Sequence, residues 1–192
     1  MRTLIVYESM YGNTHEIADH VAEGLRPHGE VHVVSVADAI DDEVAWADLV
    51  VVGGPTHAHG MTSATSRKGA VDAVAKPKST LHLDPDATGP GLRDWFDSLG
   101  PVADKRAAAF DTRIDTAAIL TGRASRGISH RLSKHGFTMV TDTKSFLVDR
   151  HSELIDGESE RATRWGEELG HSYQWPPVAH ESGFHEGVGR TP

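Results

Sequence analysis

Two apolar runs, Leu4-Ile5-Val6-Tyr7 and Leu49-Val50-Val51-Val52, set the terms for this chain. Neither alternates with polar residues, so each reads as a strand covered on both faces. Such strands need helices above and below them, and the chain supplies the pattern. Ile17, Ala18, Val21, Ala22 and Leu25 recur at the spacing of one helix face. Val31 to Val36 carries the β-branched signal of a second strand. Asp41 to Ala47 predicts a short helix, and Thr62 to Lys76 a longer one with Ala70, Val71, Val74 and Ala75 on one face. Residues 77–91, with their prolines and glycines, read as a long surface excursion. Leu92, Trp95, Phe96 and Leu99 then mark a helix, and Lys105 to Phe110 a fourth strand of small residues suited to a crowded sheet centre. Ala124, Ile128 and Leu132 mark a further helix stopped by Gly136. Phe137 to Val148 predicts a fifth strand interrupted around Asp142-Thr143-Lys144, and Gly157 to Leu169 the last helix.

Strands alternating with helices call for a parallel sheet with helices on both faces. Right-handed crossovers restrict this to an α/β doubly wound sandwich. Five strands favour a parallel sheet of order 2-1-3-4-5, whose switch point lies between strands one and three. The loops after strands one, three and four should therefore meet at one site.

The loop after the first strand is Ser9-Met10-Tyr11-Gly12-Asn13-Thr14. Asn13 followed by Glu16 reads as a capping box, which starts the helix at Asn13 or Thr14. A strand-to-helix turn is an anion site, because first-turn N–H groups point outward and the helix dipole favours negative charge. Ser9 and Thr14 add hydroxyls, and Gly12 lets the backbone come close. The loop lacks the lysine of a nucleotide triphosphatase loop and the spacing of a dinucleotide fingerprint. A monophosphate cradle is what remains.

Ser9-Met10-Tyr11-Gly12-Asn13-Thr14 resembles the phosphate loop of flavodoxin-like proteins, Ser/Thr-x-x-Gly-x-Thr after the first strand, with Tyr11 where many of them carry Thr. The resemblance implies a flavodoxin-like sandwich holding FMN, with these six residues at its terminal phosphate. Gly53-Gly54-Pro55-Thr56-His57 is similar to the Gly-Ser-Pro-Thr-Tyr segment that borders the flavin ring in many such reductases, and Gly60-Met61 to the Gly-Met that often follows. It implies that Pro55, Thr56, His57, Ala58 and Gly60 lie beside the ring, with Gly60 a candidate for the peptide that reorients on reduction. Asp111, Thr112 and Arg113, opening a loop after the fourth strand, match only by position the segment facing the flavin N1–C2=O edge. Arg113 balances charge on a reduced flavin or pairs with Asp111 or Asp115; the sequence leaves both readings open.

At 192 residues the chain suits one FMN-binding domain over 1–170, followed by an extended or disordered tail over 171–192. A net charge of −9 argues against nucleic acid. The absence of cysteine excludes thiol catalysis and thiolate metal sites. His57 and His59 lie close in sequence, but no spacing supplies three or four metal ligands, so no metal is expected. With no apolar run of about 20 residues and no leader pattern, a cytoplasmic protein without membrane attachment is expected. Gly53-Gly54-Pro55 stands where a response-regulator receiver needs an aspartate, which rejects that reading.

The leading reading is an electron-transfer protein that works with redox partner proteins, a reductase and an electron acceptor. The first alternative is an FMN-dependent NAD(P)H–quinone reductase, an oxidoreductase in its own right. The short Ser35–Leu49 connection favours the carrier over it. The second is a flavodoxin-fold interaction module without FMN.

Overall fold

The computed structural model of the protein describes residues 1–57 and 60–174. Its strands are β1 (Arg2–Tyr7), β2 (Glu30–Ser35), β3 (Leu49–His57), β4 (Gly60–Met61), β5 (Arg106–Ile114), β6 (Thr138–Met139) and β7 (Lys144–Val148). Parallel pairing gives the order β2-β1-β3-β5, with β6 and β7 sharing the outer edge of β5. β6 pairs with Arg106 and Ala107, and β7 with Phe110 to Ile114. The sheet is thus the five-position parallel sheet expected, in the expected order, with its fifth strand in two pieces. β4 is an addition: it folds back antiparallel on β3 through Thr56–Met61 and His57–Gly60.

Each central strand divides its side chains between two cores. Leu4, Val6, Val50, Val52, Ala107 and Ala109 face one side. There they meet α4 (Leu92–Ser98), α6 (Ala124–Lys134) and Val44 of α2 (Asp41–Trp46). Ile5, Tyr7, Leu49, Val51, Ala108 and Phe110 face the other, under α1 (Asn13–Leu25) and α7 (Glu158–Gln174). Complete burial on both faces is why these strands read as unbroken apolar runs. α3 (Ala64–Val74) is different. Only Ala70 of its expected apolar face is buried, and Ser63 and Ser66 close its N-terminus as a capping box. α5 (Ala118–Thr121) is a single turn leaving Ile119 and Leu120 exposed.

Three expectations are corrected. β3 runs through Pro55 to His57, and β5 through Asp111 to Ile114, so residues read as loops are strand. Register carries them: Gly53, Gly54 and Pro55 pair with Phe110, Asp111 and Thr112. α7 continues to Gln174, past the expected end at Leu169, so residues 171–174 are helical. The remaining tail residues, 175–192, lie outside the described residues. The capping box at Asn13 and Glu16 is absent; Gly12 is the N-cap, in a left-handed conformation at φ 94°.

The outer edge of β7 is closed by side chains and a short return of chain. Arg161 donates to the Ser145 carbonyl, and Glu158 Oε2 accepts from the Leu147 N–H at 2.7 Å. The Ile155 N–H reaches the Leu147 carbonyl at 3.1 Å.

Gly53 is required by its neighbour in β5. A Cβ added there would lie 2.0 Å from Phe110 Cζ, deep in the ring. Gly53→Ala is therefore expected to lower unfolding free energy by about 1–3 kcal/mol, the usual penalty of overpacking. Urea denaturation with an unchanged m-value checks this.

Candidate functional site

The carboxyl ends of β1, β3, β5 and β7 meet at one narrow cleft of about 100 Å³. One wall is the turn between β1 and α1. Its Ser9 Oγ accepts the Gly12 N–H at 3.1 Å, which winds the turn tightly and leaves the serine proton to give. The first N–H groups of α1 have no acceptor within their own helix. Thr14 Oγ1 lies 2.7 Å from Thr112 Oγ1, joining the turn to β5. Two hydroxyls in one hydrogen bond keep one proton to donate. Asn13, the first helical residue and not the cap, donates its Nδ2 to the Ser152 carbonyl at 2.8 Å, pinning the loop after β7 onto the turn.

The segment 77–91 is also tied here. The Asp84 N–H reaches the Met10 carbonyl at 2.9 Å, and its carboxylate lies 3.3 Å from His15 Nδ1. His15 stacks on Tyr7 with ring centres 4.3 Å apart. Burial, with Asp84 adding to it, pushes the Tyr7 phenol well above its ordinary range; burial also raises that of Tyr11.

The opposite wall comes from β3 and β5. Pro55, Thr56, His57, Thr112 and Arg113 line the cleft. Thr56 Oγ1 accepts the Ala124 N–H at 2.9 Å, and Asp111 Oδ2 the Ser125 N–H at 2.8 Å. Both bonds cap α6 and fix the ends of β3 and β5 against it. Arg113 pairs with neither Asp111 nor Asp115; its guanidinium holds the carbonyls of Ile114 and Thr116, at 3.2 and 2.6 Å. His57 Nε2 is buried without a partner among the described residues, and burial holds the imidazole below its ordinary pKa against the opposing pull of Glu8. Gly60 is paired with His57 across the hairpin. Ala58 and His59, between them, lie outside the described residues.

Of the expected residues, Ser9, Met10, Tyr11, Asn13, Thr14, Pro55, Thr56, His57, Thr112 and Arg113 line this cleft, while Gly12, Gly60 and Asp111 do not. Ile114, Val148 and Ser152 also line the cleft. Only their position after the fourth and fifth strands signals them in the sequence. Glu8 had no signal at all. It is 5% exposed, its carboxylate accepting the Thr62 hydroxyl and the Leu92 N–H, with Arg67 at 3.8 Å. A buried carboxylate held by two donors and a guanidinium is compensated. It fastens the residue before the turn to the segment after β4 and to the first residue of α4. No helix among the described residues is long and apolar enough to cross a membrane.

Comparison with known proteins places this geometry in a family context. Residues 4–67 match the family model for a flavodoxin domain. A flavodoxin of Aquifex aeolicus (strain VF5) is 40% identical over 58 residues, 29% of this chain and 31% of that protein. The chain therefore spans about a third of the length of that curated relative. A flavodoxin from the domain Archaea superposes with a TM-score of 0.60 at 20% identity, over 91% of this chain and 100% of that one. Oxidised Flavodoxin 1 from Bacillus cereus gives 0.59 at 22% identity, over 88% and 97%. The fold is flavodoxin-like.

His57 gives a pH signature. Its proton is bound more weakly in the folded chain than in the unfolded one, so the unfolded state takes up the proton first as pH falls. The His57 contribution to stability is present above the ordinary value of 6.5 and diminishes below it. NMR titration of the imidazole is expected to give a midpoint below 6.5. His57→Gln should flatten the loss of urea stability between about pH 7 and 5.

Proposed function

We propose that this flavodoxin-like chain is an FMN-binding electron-transfer protein, with the cleft between the ends of β1, β3 and β5 as its cofactor site. The observation that carries the reading is the turn Ser9–Thr14. It offers outward first-turn N–H groups, the Ser9 hydroxyl and the Thr14–Thr112 hydroxyl pair to one point at the start of a helix. A phosphate monoester fits that donor set, which holds no competing carboxylate. Gly12 adds to the fit, since a Cβ built on it would meet nothing within 4 Å and would stand in open space beside the turn.

When bound, FMN supplies the redox chemistry, and the protein's task is binding, orientation and electrostatics. Met10, Tyr11 and Asn13 complete the turn around the phosphate. Pro55, Thr56, His57 and Gly60 flank the ring, Ala58 belongs to the same segment, and Asp111, Thr112 and Arg113 form its other border. Thr56 and Asp111 act indirectly: each is committed to an α6 N–H, so each holds its strand end still. His57 lines the cleft, with its Nε2 buried without a protein partner among the described residues and its proton bound more weakly through burial. Arg113 is held by two carbonyls, so its positive charge is fixed beside the cleft and not neutralised there by an aspartate. The partners are a reductase and an electron acceptor, and the setting is cytoplasmic.

The purified protein, mixed with FMN, is expected to show perturbed visible flavin bands and quenched flavin fluorescence that saturate. Thr14→Val should weaken FMN binding about ten-fold, equivalent to about 1.4 kcal/mol. Absence of saturable FMN binding overturns the reading. Steady NAD(P)H turnover with a quinone and no added reductase overturns the carrier role in favour of an enzyme.

A further inference from the structure

Beside the cleft, on the far side of Arg113, lies a second depression whose charge runs against that of the chain. The protein carries a net charge of −9. Yet Arg113, Arg123, Lys144 and Arg161 all line this one depression, and Glu158 is its only carboxylate among the described residues. Glu158 is already committed to Arg161 and to the Leu147 N–H. Arg161 is committed in turn, to Glu158, to the Ser145 carbonyl and to the Phe146 ring, 4.6 Å from its centre. The other three cations are not balanced in this way. The Nε–H groups of Arg113 and Arg123 are both buried with no acceptor among the described residues. No hydrogen bond or ion pair of Lys144 or Arg123 to a carboxylate occurs among those residues, though both are partly buried. Gathering like charges without a counter-ion costs free energy, and burying unpaired donors adds to it. An anion in the depression would supply the missing counter-charge.

We propose that this depression is a second anion site, taking a phosphate-bearing small molecule. Arg123, Lys144 and Arg113 supply the charge, and the hydroxyl-bearing residues Thr143 and Ser145 line the same wall. The site is distinct from the turn at Ser9–Thr14: it shares no residue with it and lies at the β7 edge of the sheet. It is also not the N-terminus of α6, whose Ala124 and Ser125 N–H groups are already taken by Thr56 and Asp111. Concavity favours a small ligand over a protein surface. Arg113 lines both the depression and the cofactor cleft, so an anion bound here sits next to whatever the cleft holds.

The test is calorimetric titration of the full chain with inorganic pyrophosphate at low ionic strength, in the presence of saturating FMN so that the Ser9–Thr14 turn is filled. Saturable binding is expected, weakened about ten-fold by Lys144→Gln and by Arg123→Gln. Arg126→Gln, exposed on the same helix but outside the depression, should leave it unchanged. Lys144→Gln changes one partly exposed side chain, and an unchanged urea midpoint confirms that the fold is kept. Titration with ADP forms the second arm. Tighter binding than pyrophosphate assigns the phosphate to a nucleotide, and equal binding assigns a free phosphate. No saturation up to about 10 mM, or binding indifferent to both variants, overturns the site. If the chain binds no FMN, the same titration without FMN is read by the same two variants, so failure of the cofactor reading leaves this test intact.

Discussion

The contact on which the site rests is that of the Phe110 ring with the bare face of Gly53. These two residues are paired across β3 and β5, and the ring fills the space a side chain on Gly53 would take. On its other sides Phe110 meets Phe146 and Trp165 edge-on, at 5.9 and 6.0 Å between ring centres. One aromatic side chain thereby joins β3, β5, β7 and α7 directly beneath the point where the strands stop being covered. Everything that lines the cleft from these strands follows within a few residues: Pro55 to His57 on one, Thr112 to Ile114 on the other. A glycine in mid-strand is ordinarily a weakness. Here it is the condition for a packed floor.

From that floor the site is built by bonds that commit side chains to distant backbone. Asn13 holds Ser152, Thr56 holds Ala124, Asp111 holds Ser125, and Glu8 holds Leu92. Each ties one strand end or loop to another element of the sandwich. The cleft is therefore held from several sides by polar groups that point away from it. Those that remain directed to it, the Ser9 and Thr14 hydroxyls, the first-turn N–H groups and His57, are held in place without being used up.

What the sequence made legible follows from which residues answer to local forces. Val50, Val51 and Val52 are buried on both faces, and their composition says so. The turn Ser9–Thr14 is legible because a strand, a glycine and a helix start leave little choice. The extension of β3 through Gly53-Gly54-Pro55 was not, because glycine and proline argue against a strand wherever register does not insist on one. Asp111 and Thr112 misled in the same way. The capping box at Asn13 failed because Gly12 takes the N-cap and Asn13 is already the first helical residue; its amide donates instead to a carbonyl 139 residues away, and no local pattern announces such a partner. Glu8 stayed hidden because a buried carboxylate looks like any surface one until its donors, from Thr62 and Leu92, are brought to it.

The closed edge of β7 has a consequence of another kind. A parallel sheet normally ends in a row of unpaired backbone groups, an invitation to pair with another chain. At this edge β6 is two residues long, the chain then breaks step, and in β7 the Ser145 carbonyl and both polar groups of Leu147 are already engaged by Arg161, Glu158 and Ile155. A neighbouring strand would have to displace a salt-bridged arginine and a carboxylate before it could dock. The split in the fifth strand thus acts as protection against aggregation, written into the edge of the fold by the same helix that covers its core.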